Sequence, residues 1–182
     1  MAVRKDPTTD RRINRTRLAL RQAAVALLEE RGWDEISVED VCRLADVGRS
    51  TFYTHFQTKE ELLASSLQGL KHTLQSAVGP AGSLAFLRGL VEHVLEHRRL
   101  FRSVVGRRSS HVVQQRFRGM VAELVKDDFA RLAKSGWRRD SAASFVSGGL
   151  VEALGWWLDA RNPPSSDEVE SYLRTMCNMW RA

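Results

Sequence analysis

The chain has 182 residues, 43% of them hydrophobic and 27% charged, with a formal net charge of +6. That composition suits one globular domain or two small ones, and the basic balance favours an acidic partner such as nucleic acid. The opening MAVRKDPTTDRRINR has no apolar core and no stretch reaches about 18 consecutive apolar residues, so neither a secretory signal nor a membrane span is expected, and the expected location is cytoplasmic.

Residues 1–10, with Arg4 and Lys5, show no periodicity and are expected to form a basic tail. Asp10 is placed to cap a first helix over about 11–31, with Ile13, Leu20, Ala24, Leu27 and Leu28 on one face. Trp33 and Ile36 pack the following corner. Ser37 and Asp40 have the spacing of a capping box, and Val38, Val41, Cys42 and Ala45 form the inner face of a short second helix. Asp46-Val47-Gly48 is the turn. A third short helix over 49–55 buries Phe52, with Phe56 one turn later. Thr58 and Glu61 open a long fourth helix with Leu63, Leu67, Leu70 and Leu74 as its stripe, ended by Gly79-Pro80.

The rest of the chain is helical as well. Leu87, Leu90, Val91, Val94 and Leu95 recur at helical spacing, a segment over about 99–105 stops at Gly106, and Val113, Phe117, Met120, Val121, Leu124 and Val125 mark a helix ending near Gly136. Phe145, Leu150, Val151, Leu154 and Trp157 define the next, Asn162-Pro163-Pro164 breaks it, and Val169, Tyr172, Leu173, Met176, Cys177 and Trp180 define the last. No alternating strand pattern of useful length occurs. The expected fold is all-α: a helix-turn-helix DNA-binding domain over 11–57 and a helical regulatory and dimerisation domain over 58–182.

A helix that enters the DNA major groove must be short, held from behind and polar outside. Residues 49–55 satisfy this. Arg49 can read guanine edges, Ser50 and Thr51 can reach bases or phosphates, and Tyr53, His55 and Lys59 lie where a helix flanks the sugar–phosphate backbone. Ser37 opens a neighbouring helix whose amide groups can face a phosphate. Arg4, Lys5, Arg11, Arg12, Arg15 and Arg17 supply positive charge nearby.

Val41, Ala45 through Val47, Thr51-Phe52-Tyr53-Thr54-His55-Phe56 and Lys59-Glu60-Glu61-Leu62-Leu63 resemble the TetR family of transcriptional regulators over about residues 12–63. The resemblance implies that Tyr53, His55 and Lys59 contact phosphates and that Arg49, Ser50 and Thr51 read bases. It also implies two readers joined by a helical body. The family usually has glycine in the turn and Ser or Thr at the reader's cap; here Asp46 and Gly48 stand there. Asp tolerates the left-handed conformation and Gly is an acceptable N-cap, but the cap lacks a side-chain oxygen.

Gly148, Gly149 and Gly155 in one apolar helix ask for a reason, and close approach of another helix supplies it. The expected dimer interface is Leu150, Leu154, Trp157, Val169, Tyr172, Leu173, Met176 and Trp180, forming a two-fold four-helix contact. Phe86, Phe101, Phe117, Met120 and Trp156, with Trp137, are candidates for an effector pocket, although aromatic residues at helical spacing also make ordinary core. Arginines 98, 99, 102, 107, 108, 116 and 118 are read as solvated helix faces, with selection of an anionic ligand as the sharper alternative. His93, His97 and His111 show no partner spacing for a metal, and Cys42 and Cys177 are read as buried thiols, so no metal and no cofactor are expected.

The function read from these residues is a dimeric, sequence-specific DNA-binding transcriptional regulator, a repressor released by an unknown small-molecule effector. Its partners would be a palindromic double-stranded operator and a second copy of the chain, with no membrane. No nucleophile elbow, phosphate-binding glycine loop or suggestive carboxylate pair points to an enzyme. The alternative is an all-helical small-molecule-binding or protein-interaction module without DNA binding.

Overall fold

Helical periodicity in the sequence becomes helices almost throughout the computed structural model, which describes residues 7–76, 84–106, 109–130 and 136–179. Among the described residues there are nine α-helices and no strand. They are α1 (Pro7–Glu30), α2 (Val38–Leu44), α3 (Arg49–His55), α4 (Lys59–Ser76), α5 (Phe86–Glu96), α6 (Arg98–Val105), α7 (His111–Phe129), α8 (Trp137–Asp159) and α9 (Ser166–Asn178), with a 3-10 turn at Trp33–Glu35. The chain divides into two compact units, Met1–Ser66 and Leu67–Ala182, so the division falls inside α4.

In the first unit α1 starts at Pro7, three residues before the expected cap at Asp10. Proline suits that end because its missing N–H would have no helical partner there. Leu20, Ala24, Leu27 and Leu28 bury as expected, whereas Ile13 is exposed. Their partners in the core are Trp33, Ile36, Val41, Cys42, Phe52, Phe56, Leu62 and Leu63. Burial pushes the Cys42 thiol above its ordinary pKa, so it stays a small neutral hydrophobe.

The second unit is built around α8, which packs on α7 and α6, while α9 packs on α5. Lys71 on α4 pairs with Glu123 (2.7 Å) and Asp127 (3.5 Å) on α7. The corner between α8 and α9 is tied by Trp157 Nε1, which donates to the Pro164 carbonyl at 2.9 Å. Ser165 caps α9 reciprocally with Glu168, whose carboxyl is held below its usual range by the Ser165 hydroxyl and amide.

Several expectations for this unit change. Phe86, Phe101, Phe117 and Met120, expected at an effector pocket, are all buried, and Phe101 meets Phe117 edge-on at 5.5 Å. Leu150, Leu154, Trp157, Val169 and Leu173, expected at a dimer interface, are buried in the chain's own core. The helical stripe that repeats most regularly is the one that closes the monomer. Trp180 lies outside the described residues. Arg98, half-buried, and Arg102, exposed, both donate to the Leu158 carbonyl near the end of α8, at 2.9 Å and 2.9–3.2 Å, and Arg98 also borders a small cleft with Leu95, Trp157 and Pro164. Arg107 and Arg108 lie outside the described residues.

The glycines of α8 separate into two kinds. A Cβ on Gly155 would stand 3.1 Å from the Val105 carbonyl oxygen, so its smallness lets α8 close on the end of α6. Around Gly148 and Gly149 a Cβ would meet nothing within 4 Å. No close approach within the described residues explains those two.

Candidate nucleic-acid interface

The link between α2 and α3 is a Schellman turn. Val47 N–H donates to the Cys42 carbonyl (3.0 Å) and Asp46 N–H to that of Arg43 (3.3 Å). The geometry demands a left-handed residue at position 46, and Asp46 takes it with φ 53°. Aspartate is among the few non-glycine residues that tolerate this conformation. Gly48 is the N-cap of α3 with φ −72° and ψ 152°, an ordinary extended conformation, and offers no side-chain cap.

Phe52 on α3 is fully buried and Phe56 at its end nearly so, the two rings tilted against each other at 6.0 Å. These rings fix the helix from behind. Arg49, Ser50, Tyr53 and Thr54 are exposed, and Thr51 and His55 are half-buried. The first turn of α3 carries no acidic residue. Arg49 has no ion-pair partner among the described residues, which leaves its guanidinium available. Tyr53 lies edge-on to Phe52 at 5.4 Å, which holds its ring while the side chain stays 51% exposed. Thr54 returns its hydroxyl to the Ser50 carbonyl at 3.0 Å. Arg11, Arg12, Arg15 and Arg17 of α1 are exposed, and the Arg17 guanidinium sits 5.2 Å from the Phe56 ring centre.

Two of the expected DNA contacts are engaged elsewhere. Lys59 Nζ donates to the carbonyls of Trp33 (2.9 Å) and Ile36 (2.8 Å) and lies 5.1 Å from the Trp33 ring centre. Two of its three N–H donors are therefore spent on the corner between α1 and α2. Its third N–H donor is not committed by these two bonds. Ser37 is exposed, but its hydroxyl donates to Asp40 Oδ2 (2.7 Å) and accepts from Asp40 N–H (3.1 Å). The capping box of α2 is real, and it occupies the hydroxyl. Asp40 also pairs with Arg31 at 3.1 Å and with Arg43. The Ser37 hydroxyl and amide, then Arg31, hold the Asp40 carboxyl well below the usual carboxylate range. At α4 the box is altered: Thr58 accepts from Glu61 N–H at 3.1 Å, while the Glu61 carboxylate takes the Gln57 amide at 2.7 Å.

In the second unit a cleft of about 370 Å³ is lined by Val105, Gly106, Gln114, Glu152, Gly155, Trp156, Asp159 and Ala160. Of the expected pocket residues, Trp156 borders it. Large apolar side chains of this unit are also exposed: Phe145 and Trp156 on α8 at 59% and 64%, Tyr172 and Met176 on α9, and Met179 just past its end. Tyr172 and Met176 belong to the expected interface, and Trp156 to the expected pocket, whose cleft it borders. The spacing on α8 is a usable signal. Phe145, Gly149, Glu152 and Trp156 form a second stripe opposite the core stripe of α8, and Gly148 and Gly149 lie on or beside it.

Residues 20–65 match the model of bacterial regulatory proteins of the tetR family, and residues 83–179, more than half the chain, match that of a transcriptional regulator C-terminal region. The uncharacterized HTH-type transcriptional regulator YxbF of Bacillus subtilis is 40% identical over 65 residues, which is 35% of this chain and 17% of that protein. A second such regulator from the same organism, YvdT, is 34% identical over 59 residues, 32% of this chain and 30% of its own length. The matched region thus spans less than a third of either relative. A TetR transcriptional regulator from Streptococcus agalactiae superposes with a TM-score of 0.71 at 28% identity, covering 93% of this chain and 97% of the other. RolR in complex with resorcinol shares the fold, with a TM-score of 0.59 at 22% identity over 93% and 89% of the two chains. With its reader helix held from behind by Phe52 and Phe56 and both units matched, the chain belongs to the TetR family of transcriptional regulators.

Proposed function

We propose that this chain binds double-stranded DNA sequence-specifically as a homodimer and represses transcription until a small molecule releases it. One observation carries the reading: α3 is anchored by buried Phe52 and presents Arg49, Ser50, Tyr53 and Thr54 outward with no acidic residue in its first turn. Such a helix fits the major groove, where Arg49 reads a base edge and Tyr53 and His55 meet phosphates. The arginines of α1 add sequence-independent attraction.

The dimer reading rests on Phe145, Gly149, Trp156, Tyr172, Met176 and Met179. Each mid-helix glycine costs about 1 kcal/mol against alanine, and nothing within the described chain makes use of Gly149. A second copy laid against this face would use it. For the effector, the cleft beside Trp156 is the candidate, since it opens next to that face. A ligand there shifts the dimer only if it binds one arrangement more tightly than another. RolR bound to resorcinol is a precedent for a small aromatic ligand on this fold.

The test is selection of duplexes from a random library, followed by anisotropy titration at moderate salt. The expected result is an enriched two-fold symmetric site, bound about a thousandfold or more above random duplex. Equal, weak binding of selected and random duplexes would sink the DNA reading and favour an interaction module.

A further inference from the structure

His93 and His97 stand four residues apart at the end of α5, with Glu96 between them. On a helix, positions i, i+3 and i+4 share one face. The structure brings one ligand atom from each of His93, Glu96 and His97 within 4.8 Å of the others. The two imidazole rings are 4.5 Å apart, and His97 Nε2 is 3.9 Å from Glu96 Oε2. Ligand atoms around one tetrahedral zinc ion, at bond lengths of about 2.0–2.1 Å, lie roughly 3.4 Å from each other. Side-chain rotations of about an ångström close that difference.

The surroundings suit a cation. His93 is half-buried and meets the Phe101 ring edge-on at 5.6 Å, which restricts how its imidazole can turn. Arg98, next after His97, carries its guanidinium to the Leu158 carbonyl. Glu96, three residues after His93, completes the set of three groups on this face.

We infer that His93, Glu96 and His97 form a binding site for one divalent transition ion of the zinc class, with two imidazoles and a carboxylate as ligands. Three protein ligands leave a fourth position for water or an exogenous donor. Two nitrogens and one carboxylate oxygen select zinc, nickel or copper over magnesium or calcium. The site lies at the joint of α5 and α6, so a bound ion would brace that joint.

The test uses the full chain without a histidine tag, titrated with zinc chloride in competition with a chromophoric chelator. One zinc per chain is expected. Glu96→Gln, at an exposed side chain, should leave the helical circular dichroism unchanged and weaken zinc. Loss of an outer hydrogen-bond partner alone weakens metal sites by about 10–100-fold, so loss of a ligand should cost at least tenfold. His93→Gln with His97→Gln should abolish stoichiometric binding, while His72→Gln should not alter it. Cobalt(II) should give visible d–d bands that Glu96→Gln diminishes. Equal zinc affinity in wild type, Glu96→Gln and the double variant, or no zinc bound by the wild type, would overturn the proposal. None of these readouts involves DNA.

Discussion

Lys59 Nζ lies 2.9 Å from the Trp33 carbonyl oxygen and 5.1 Å from the centre of the same residue's ring. One ammonium thus holds both the backbone and the face of the residue that turns the corner after α1. The Ile36 carbonyl takes a second donor at 2.8 Å. Charged hydrogen bonds are worth about 1.5–3 kcal/mol, and a cation over an aromatic face adds about 0.5–1 kcal/mol when exposed. Lys59→Ala should therefore lower stability by about 1–3 kcal/mol in a urea titration. The salt dependence of DNA binding should keep its slope. A slope that falls by about one, with stability unchanged, would return Lys59 to phosphate contact.

The Ser37–Asp40 box predicts a pH effect. Asp40's folded pKa is depressed, first by the Ser37 hydroxyl and amide. A depressed carboxylate contributes stability that is present above its unfolded pKa near 3.9 and is lost as pH falls through the lower folded value. Wild type should therefore lose part of its stability below about pH 4, whereas Asp40→Asn should be weaker at neutral pH and flatter across that acid window. Parallel acid profiles for the two proteins would remove Asp40 as a source of the loss. Ser37→Ala should cost about 1 kcal/mol through the lost cap.

Arg49 and Tyr53 separate base reading from backbone positioning. Arg49→Ala should cost about 1–3 kcal/mol on the selected duplex and relax preference at one base position per half-site. Tyr53→Phe should weaken selected and random duplexes by similar factors, because a phosphate contact carries no sequence information. If Arg49→Ala weakens both duplexes equally, Arg49 grips the backbone instead.

Cys177 offers a chemical check of the core. Burial pushes its thiol up to about 11, and only 5% of the residue is exposed. The thiolate is the reactive form. At pH 8 the folded chain should react with a disulfide reagent only after denaturant is added. As pH rises from the unfolded pKa near 8.5 toward the folded value, the unfolded chain ionises first and stability falls. Prompt labelling of Cys177 in the folded chain would show that α9 is not packed as described.

Much of this was legible because local rules act within a few residues. Helical spacing located the helices, and Ser37 with Asp40 announced a cap that the structure contains. Asp46 was readable as the left-handed residue of the turn. What the sequence could not separate was two apolar stripes on one helix. Leu150, Leu154 and Trp157 look as available for a partner as Phe145 and Trp156 until α6 and α7 are in place. Lys59 shows a similar limit. Its motif gives its position, but the carbonyls that capture it belong to residues 23 and 26 positions earlier. His93 and His97 at i and i+4 are visible in the sequence, and Glu96 between them belongs to the proposed site.

Trp156 and Trp157 turn the interface proposal into a comparison between sequence neighbours. Trp156 is 64% exposed, while Trp157 is 3% exposed and donates to Pro164. Trp156→Glu and Phe145→Glu should leave the chain folded and shift it from dimer to monomer in sedimentation. Trp157→Glu should instead unfold it, because an unpaired charge would be forced into the core. Gly149→Ala sharpens the point. A Cβ there meets nothing within 4 Å in one chain, so the monomer should gain about 1 kcal/mol from helix propensity. If a partner helix lies close at that point, the same methyl should weaken the dimer. Tighter or unchanged dimerisation in both Trp156→Glu and Gly149→Ala would move the contact away from this face. Monomers from both, with a more stable Gly149→Ala monomer, would place the second copy across α8 and α9.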